Sequence, residues 1–388
     1  MEFESLVTYL PDARWRVVSP GRVNLLGEHV DYNQGLVLPA AIERCVMVAA
    51  KARADRQVVL KALDMEAETR FSLDHLVERI DTEGKPLPGW AIYPAGVAWA
   101  LRNAGFELKG VEAVYASDLP IGAGLSSSAA VEVAFAVLWQ ALGGWNLSRM
   151  RLAQICQMAE NRYVGVNCGL MDQFTCAHGV ARHALFFDVR SLEWQPLPLP
   201  PDTAIVIADS GICRQLADSA YNRLRADCEE AVRLLQELLP GIKSLRDVSI
   251  ADFFRNRGVL PEEIRFRAQH VVEEIERVRQ AGLCLAHEDA IGFGRWMAEG
   301  HASLRDLFQV STPELDTLVN IAQNLDGCYG ARLTGAGFGG CTVNLVDSAL
   351  TQTFADQLKK AYFLKTGYIA ETIISAPARG AYCESISD

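Results

Sequence analysis

The sequence predicts an α+β fold in two domains, and three observations lead there. At 388 residues the chain exceeds what a single hydrophobic core usually supports. Strand-like and helix-like segments follow one another in uneven order, not as regular βαβ units. A run holding Pro196, Pro198, Pro200 and Pro201, between Trp194 and Asp202, cannot continue a helix or a central strand. A boundary at that run gives domains of residues 1–195 and 196–388; a surface loop inside one domain is the alternative.

Trp15 to Val18, Val37 to Ala50 and Val58 to Ala62 read as strands, with turn chemistry at Tyr32-Asn-Gln-Gly35. Trp90 to Ala104 has helical apolar spacing and stops at Gly105. Val111 to Ala116 alternates like a strand, and Ser127 to Leu142 reads as a helix closed by Gly143-Gly144. Ser148 is placed to cap a further helix running to Arg162. Beyond the prolines, Ala204 to Ala208 is a short buried strand. Ser219 to Leu239, Phe266 to Gly282, Ala286 to Gly300 and Pro313 to Leu325 are helical patterns. Strands at Cys341 to Val346 and Tyr368 to Ser375 flank a last helix over residues 348–366.

Half of the residues are hydrophobic and 22% are charged, a globular balance without the signature of disorder. The formal net charge of −11 argues against nucleic acid and anionic membrane as partners, because either needs a basic surface. It leaves room for ATP, which a local positive potential can hold. Ten cysteines without a Cys-x-x-Cys pair suggest neither a zinc ribbon nor a thioredoxin-like motif. The opening residues include Glu2, Glu4 and Asp12 and lack the apolar stretch of a signal peptide. No uncharged apolar run approaches the ~18 residues that span a bilayer. A cytoplasmic protein with reduced thiols is the expectation, and a monomer is the default.

The chemistry concentrates in Ser117-Asp-Leu-Pro-Ile-Gly-Ala-Gly-Leu-Ser-Ser-Ser-Ala-Ala130, between a predicted strand and a predicted helix. Gly122 and Gly124 allow backbone angles and close approaches that side chains block. The free N–H groups and dipole of the following helix make an anion site, and Ser126, Ser127 and Ser128 add hydroxyls for phosphate or magnesium. Read alone, the run also fits a glycine-rich turn whose serines cap the helix. It is not a Walker A loop, since no lysine follows the glycines, and no acidic ribose-binding residue follows as a dinucleotide fold requires. The phosphate charge must then be met by backbone, dipole, metal and an arginine from elsewhere.

Three further clusters stand out. Pro20-Gly-Arg-Val-Asn-Leu-Leu-Gly-Glu-His-Val-Asp-Tyr-Asn33 gathers Arg22, Glu28, His29 and Asp31, a set suited to vicinal sugar hydroxyls because each carboxylate accepts several hydrogen bonds. A solvated polar loop is the bland alternative. In Glu160-Asn-Arg-Tyr-Val-Gly-Val-Asn-Cys-Gly-Leu-Met-Asp-Gln-Phe174, Asp172 lies in a context too apolar for a free surface acid, and Arg22 is its candidate partner. Arg332-Leu-Thr-Gly-Ala-Gly-Phe-Gly-Gly-Cys341 is a second glycine-rich loop, weak evidence by itself.

Together these segments resemble the GHMP small-molecule kinases, whose three motifs occur in order as PGRVNLLGEHVDYNQG, LPIGAGLSSSAA and LTGAGFGG. GEHVDYN, CGLMDQF and SAYNRLRADC are similar to the galactokinase branch. The resemblance implies an N-terminal domain of ribosomal-protein-like α+β fold, a ferredoxin-like C-terminal domain and an active site between them. By motif position, Glu28, His29, Asp31, Gly169, Asp172 and Tyr221 would hold the sugar. Gly122, Ala123, Gly124, Leu125, Ser126, Ser127 and Ser128 would hold the ATP phosphates, with Trp90 near the adenine. Ser128 and Glu160 would ligate Mg2+, Asp172 would be the catalytic base, and Arg22 would stabilise the transition state. Two departures are visible: Ala336 stands where the third motif usually has glycine, and Leu170 where isoleucine is usual.

The implied reaction is transfer of the γ-phosphoryl group of MgATP to the anomeric hydroxyl of α-D-galactose. Its rivals are a kinase of N-acetylgalactosamine or L-arabinose, a non-catalytic galactose and ATP sensor, and a glycosidase using Glu28 and Asp31 as paired acids. The intact Ser-Ser-Ser-Ala-Ala run and Asp172 favour an enzyme over a sensor. A glycosidase leaves both glycine-rich loops unexplained.

Overall fold

The computed structural model describes residues 3–120, 122–212 and 217–386. Its strands are β1 (Trp15–Asn24), β2 (Leu36–Val37), β3 (Pro39–Arg53), β4 (Gln57–Ala62), β5 (Ala67–Ser72), β6 (Gly110–Ser117), β7 (His183–Asp188), β8 (Trp194–Pro198), β9 (Thr203–Asp209), β10 (Cys328–Leu333), β11 (Cys341–Asp347), β12 (Glu371–Ser375) and β13 (Tyr382–Ser385). They make a six-stranded sheet in the order β13-β1-β3-β6-β4-β5, a four-stranded sheet β10-β11-β9-β12, and a three-stranded sheet β2-β7-β8. Pairing is antiparallel except between β4 and β6, where Val58 lies beside Val111. An antiparallel majority with helices in irregular order is the expected α+β class.

Within the six-stranded sheet, β1 passes a register shift between Pro20 and Arg22. The kink re-aims the strand end toward the cleft, as bulges do beside functional sites. Helix Ser127–Gly143 packs on β1 and β3, and its alanines at 129, 130, 134 and 136, all fully buried, let it lie close to the sheet. It ends with Gly144 in the left-handed region at φ 69. In the four-stranded sheet the central strand β9 pairs with β11 and β12, with Ile207 facing Val343 and Ile373. Its strands run 4-1-3-2 in the order β12-β9-β11-β10, as a ferredoxin-like unit requires. Helix Thr351–Thr366 connects β11 to β12 and buries Phe354, Leu358 and Tyr362. The C-terminal β13 pairs with β1, Trp15 beside Ser385, so the chain returns to its first sheet.

Three regions differ from the sequence reading or go beyond it. The stretch Val37 to Ala50 is not one strand: the chain leaves β2, and Leu38 instead exchanges backbone hydrogen bonds with Leu25 and Leu26 before β3 begins. The proline run contributes β8, paired with β7 at the edge of the small sheet, where Pro196 lies opposite Leu185. An edge position tolerates prolines because one row of ladder donors is dispensable. The short helix Met171–His178 had no visible periodicity in eight residues between Gly169 and Gly179. It is fixed from outside: Phe174 is fully buried and stacks on Phe187 with ring centroids 3.8 Å apart.

Because that stack anchors the helix carrying Asp172, Phe174→Ala is expected to cost about 3–5 kcal/mol of stability. Urea denaturation of the variant against the wild type checks this.

Candidate active site

A cleft of about 790 Å³ is lined by residues from both halves of the chain. Its floor is β1 and the loop that crosses it. The Arg22 amide donates to the Leu125 carbonyl at 3.1 Å, and a Cβ on Gly21 would stand 2.7 Å from that same oxygen. The loop is tied to the second glycine-rich loop as well, because Cys341 N–H donates to the Ala123 carbonyl at 3.2 Å. Ala123 and Leu125 point into the core, while Gly122, Gly124 and Ser126 to Ser128 line the cleft. Gly122 and Gly124 both have positive φ, 75 and 83. Ile121 lies outside the described residues.

Ser126 occupies the N-cap position of helix Ser127–Gly143 yet makes no side-chain cap. Its backbone is left-handed, at φ 58 and ψ 45, which turns the hydroxyl to donate to Asp172 Oδ2 at 2.5 Å. The reading of these serines as simple caps therefore fails at Ser126, and the first N–H groups of the helix face the cleft without a side-chain acceptor.

Arg22 and Asp172 form the centre. The guanidinium donates from Nε to Oδ1 and from Nη2 to Oδ2, each at 2.8 Å, and from Nη1 to the Gly124 carbonyl at 2.6 Å. Arg22 is buried and Asp172 partly open to the cleft. A forked pair of this kind fixes orientation as well as charge.

On one side lie Glu28, His29, Asp31, Gly169 and Tyr221. Asp31 is buried and accepts from the Tyr32 amide at 2.9 Å; burial first, and the charge of Asp172 second, raise its pKa to about 6. A Cβ on Gly169 would fall 1.8 Å from Asp31 Oδ2, so only glycine fits there. His29 is left-handed at φ 61, places Nε2 3.2 Å from the Ala336 carbonyl, and lies with its ring 5.5 Å from Tyr221. Glu28 is ion-paired with Arg332. Burial raises its pKa to about 7 against the pull of that arginine. Ala336 is negative in φ, unlike its neighbours Gly335 and Gly337 at 82 and 80, so the methyl costs the loop nothing. Leu170 is buried, filling the place of the usual isoleucine.

On the other side, Glu160 stands where helix Arg149–Ala159 widens into a π-turn over Glu160–Val164, an irregularity frequent at functional sites. Burial raises its carboxyl pKa to about 7, and it accepts from Gln173 Nε2 at 2.5 Å; Ser128 lines the cleft with it. The same amide donates to Glu132 at 3.0 Å. Burial, then the charge of Glu160, holds Glu132 well above the usual carboxylate range. Glu132 carries a sequence signal that went unread, a single acid within the apolar run Ala129 to Trp139. Farther along, Trp90, Tyr93 and Tyr115 line the cleft with Asp64 and Met65, the Trp90 and Tyr115 rings 6.0 Å apart. Trp90 was anticipated; Tyr93 and Tyr115 were not, since aromatics in a helix and a strand read first as core. Among the described residues no group of three or more His, Cys, Asp or Glu could hold a metal. No helix among them is long and apolar enough to cross a membrane.

Residues 1–52 match the galactokinase galactose-binding signature, residues 93–180 the GHMP kinases N terminal domain, and residues 281–363 the GHMP kinases C terminal domain. A galactokinase of Roseiflexus sp. (strain RS-1) is 50% identical over 94% of this chain and 91% of its own length. The chain belongs to the galactokinase family of GHMP kinases. A galactokinase of Canis lupus familiaris is 42% identical over 89% of this chain and 87% of its own. The crystal structure of Lactococcus lactis galactokinase complexed with galactose superposes with a TM-score of 0.90 at 34% identity, covering 96% of this chain and 95% of that one. The mevalonate kinase of Methanococcus jannaschii, 17% identical with a TM-score of 0.65 over 97% and 99% of the two chains, shares the fold.

Buried acids in this cleft carry a stability cost with a definite pH dependence. Asp31 titrates near 3.8 when unfolded and near 6 when folded, so its penalty is absent below the first value and complete above the second. Asp31→Asn is expected to stabilise the fold by about 2–3 kcal/mol at pH 8 and to lose that advantage near pH 4. Urea midpoints at the two pH values check the sign.

Proposed function

We propose that this chain transfers the γ-phosphoryl group of MgATP to the anomeric hydroxyl of α-D-galactose, giving galactose 1-phosphate and ADP. The observation that carries the reading is the forked Arg22–Asp172 pair, set between a wall of sugar-type acceptors and a glycine-serine loop at a helix start. Asp172 Oδ1 takes one hydrogen bond from Arg22 and keeps a lone pair for the proton of the anomeric hydroxyl. As that proton leaves, the sugar oxygen bonds to the γ-phosphorus and the bond from phosphorus to the β,γ-bridging oxygen breaks. ADP departs, and Asp172 later returns its proton to solvent. Arg22 holds the base in place and lends positive charge beside the transferring group.

Glu28, His29, Asp31, Gly169 and Tyr221 would fix the sugar, and Gly122, Gly124 and Ser126 to Ser128 would receive the phosphates with the free N–H groups of the helix. Ala123 and Leu125 would serve through their backbones, and Trp90, with Tyr93 and Tyr115, would border the adenine. The Ser128 hydroxyl and Glu160 carboxylate, both lining the cleft, are hard oxygen donors that suit Mg2+, which commonly takes one or two protein oxygens and completes its shell with phosphate and water. Bound there, the ion would neutralise charge on the triphosphate. We take residues 1–195 and 196–388 as the two domains, with β13 returning to the first. The free cysteines among the described residues suit a reducing, ATP-rich cytoplasm. A glycosidase is disfavoured because Glu28 is already paired with Arg332.

ADP release with MgATP across free sugars tests the reading: galactose should give the highest kcat/KM, and a preference for N-acetylgalactosamine or L-arabinose would overturn the sugar assignment. Asp172→Asn should lower kcat roughly 10²- to 10⁴-fold, with galactose binding by calorimetry near the wild-type value. Near-normal turnover in that variant would remove Asp172 as the base.

A further inference from the structure

We propose that Arg332 is a positioning residue for the sugar: it holds Glu28 by one carboxylate oxygen and leaves the other, which has no partner among the described residues, to accept from one sugar hydroxyl. The inference rests on the reading of the cleft as a galactose site. Arg332 lies on β10, is wholly buried, and touches neither the cleft nor any group assigned to phosphoryl transfer.

The division of its fork is the key observation. A guanidinium facing a single carboxylate usually binds both oxygens in parallel. Here Nη2 pairs with Glu28 Oε2, while Nη1 goes to Glu274 Oε1 at 3.0 Å and to the Leu25 carbonyl at 3.3 Å. Glu28 Oε1 is buried and has no hydrogen-bond partner among the described residues, and Glu28 lines the cleft. A buried carboxylate oxygen without a partner is costly unless something supplies one, and a bound sugar hydroxyl would supply it.

Arg332 cannot swing to close that gap, because its surroundings are fixed. Glu274 accepts from the Gly27 amide at 2.9 Å and from Arg277 Nε at 2.6 Å. Arg277 Nη2 donates to the Ser303 hydroxyl at 2.8 Å, and that hydroxyl lies 2.8 Å from His270 Nδ1. His270 Nε2 returns to the Glu28 carbonyl at 3.3 Å. A Cβ on Gly300 would stand 2.7 Å from Arg332 Nη1, so the glycine makes room for the guanidinium. Glu28, Glu274, Arg332 and Arg277 form a balanced buried set joining helices Glu262–Ala286 and Ala290–Ser303 to the loop that carries Glu28. A lysine could not span both acids, having one ammonium in place of a fork.

The test compares kcat/KM for galactose and its 2-, 3-, 4- and 6-deoxy analogues in the wild type, Glu28→Gln, Arg332→Met, Arg332→Lys and the charge-balanced pair Arg332→Met with Glu274→Gln. Glu28→Gln identifies the hydroxyl whose removal it no longer penalises. Arg332→Met should raise galactose KM roughly 10- to 100-fold, as expected when a buried carboxylate loses its partner. ATP KM should stay near the wild-type value. The penalty for deleting that one hydroxyl should collapse as in Glu28→Gln, with Arg332→Lys between. The proposal is overturned if any folded Arg332 variant keeps the full penalty, if ATP and galactose KM rise together, or if no Arg332 variant folds, which would assign the residue to stability alone. A wild type that turns over another sugar but not galactose instead defeats the underlying sugar reading, and the same panel reports that separately.

Discussion

Asp172 is held on both carboxylate oxygens by Arg22 and on one by Ser126, and three separate elements meet at that point. Arg22 arrives on the kinked end of β1, Ser126 on the loop before a long helix, and Asp172 on the first turn of a short one. The third nitrogen of the same guanidinium grips the Gly124 carbonyl and so sets the loop's height over the strand. Losing this cation would leave an aspartate without its charge partner and a loop without its strut. Breaking a close pair of this kind is far more damaging than its net contribution to stability suggests.

The two walls of the cleft are built on different principles. The wall proposed for the sugar uses buried acids with few partners, among them the Tyr32 amide for Asp31 and Arg332 for Glu28. Both remain above their ordinary titration range because burial outweighs those partners. The wall proposed for the phosphates has helix N–H groups without side-chain caps and small side chains, which would receive an anion without presenting a fixed positive charge. Between them, Gln173 ties Glu132 to Glu160 with one amide, so Glu160 is supported from behind by a second acid whose carboxyl pKa burial pushes well above the usual range.

Much of this was legible in residue order. Strong periodic segments gave helices such as Gly89–Asn103 and Ser127–Gly143 nearly to the residue, because their apolar faces are long enough to show a period. The site motifs were legible because glycine, serine and acidic residues in apolar surroundings are hard to explain as packing. Elements with too few residues for periodicity were not: helix Met171–His178, strand β10 and the proline-bearing edge strand β8 exist because neighbours hold them. Tyr93 and Tyr115 looked like core aromatics, and only the cleft between distant segments distinguishes them.

By itself the sequence determined which chemistry is available: a glycine-serine loop without lysine, a carboxylate in need of a cation, and a cluster of residues of the kind that accept from hydroxyls. Those are properties of residue type and spacing, and short-range sterics decide them. Only the tertiary structure decided how the parts face one another. Arg22 and Asp172 lie 150 residues apart and Glu28 and Arg332 lie 304 apart, and no local preference encodes a contact at that separation. Which Glu28 oxygen is bound and which is left open, the feature on which sugar recognition is proposed to turn, is a matter of where a buried guanidinium points. Packing of the C-terminal helices fixes that direction.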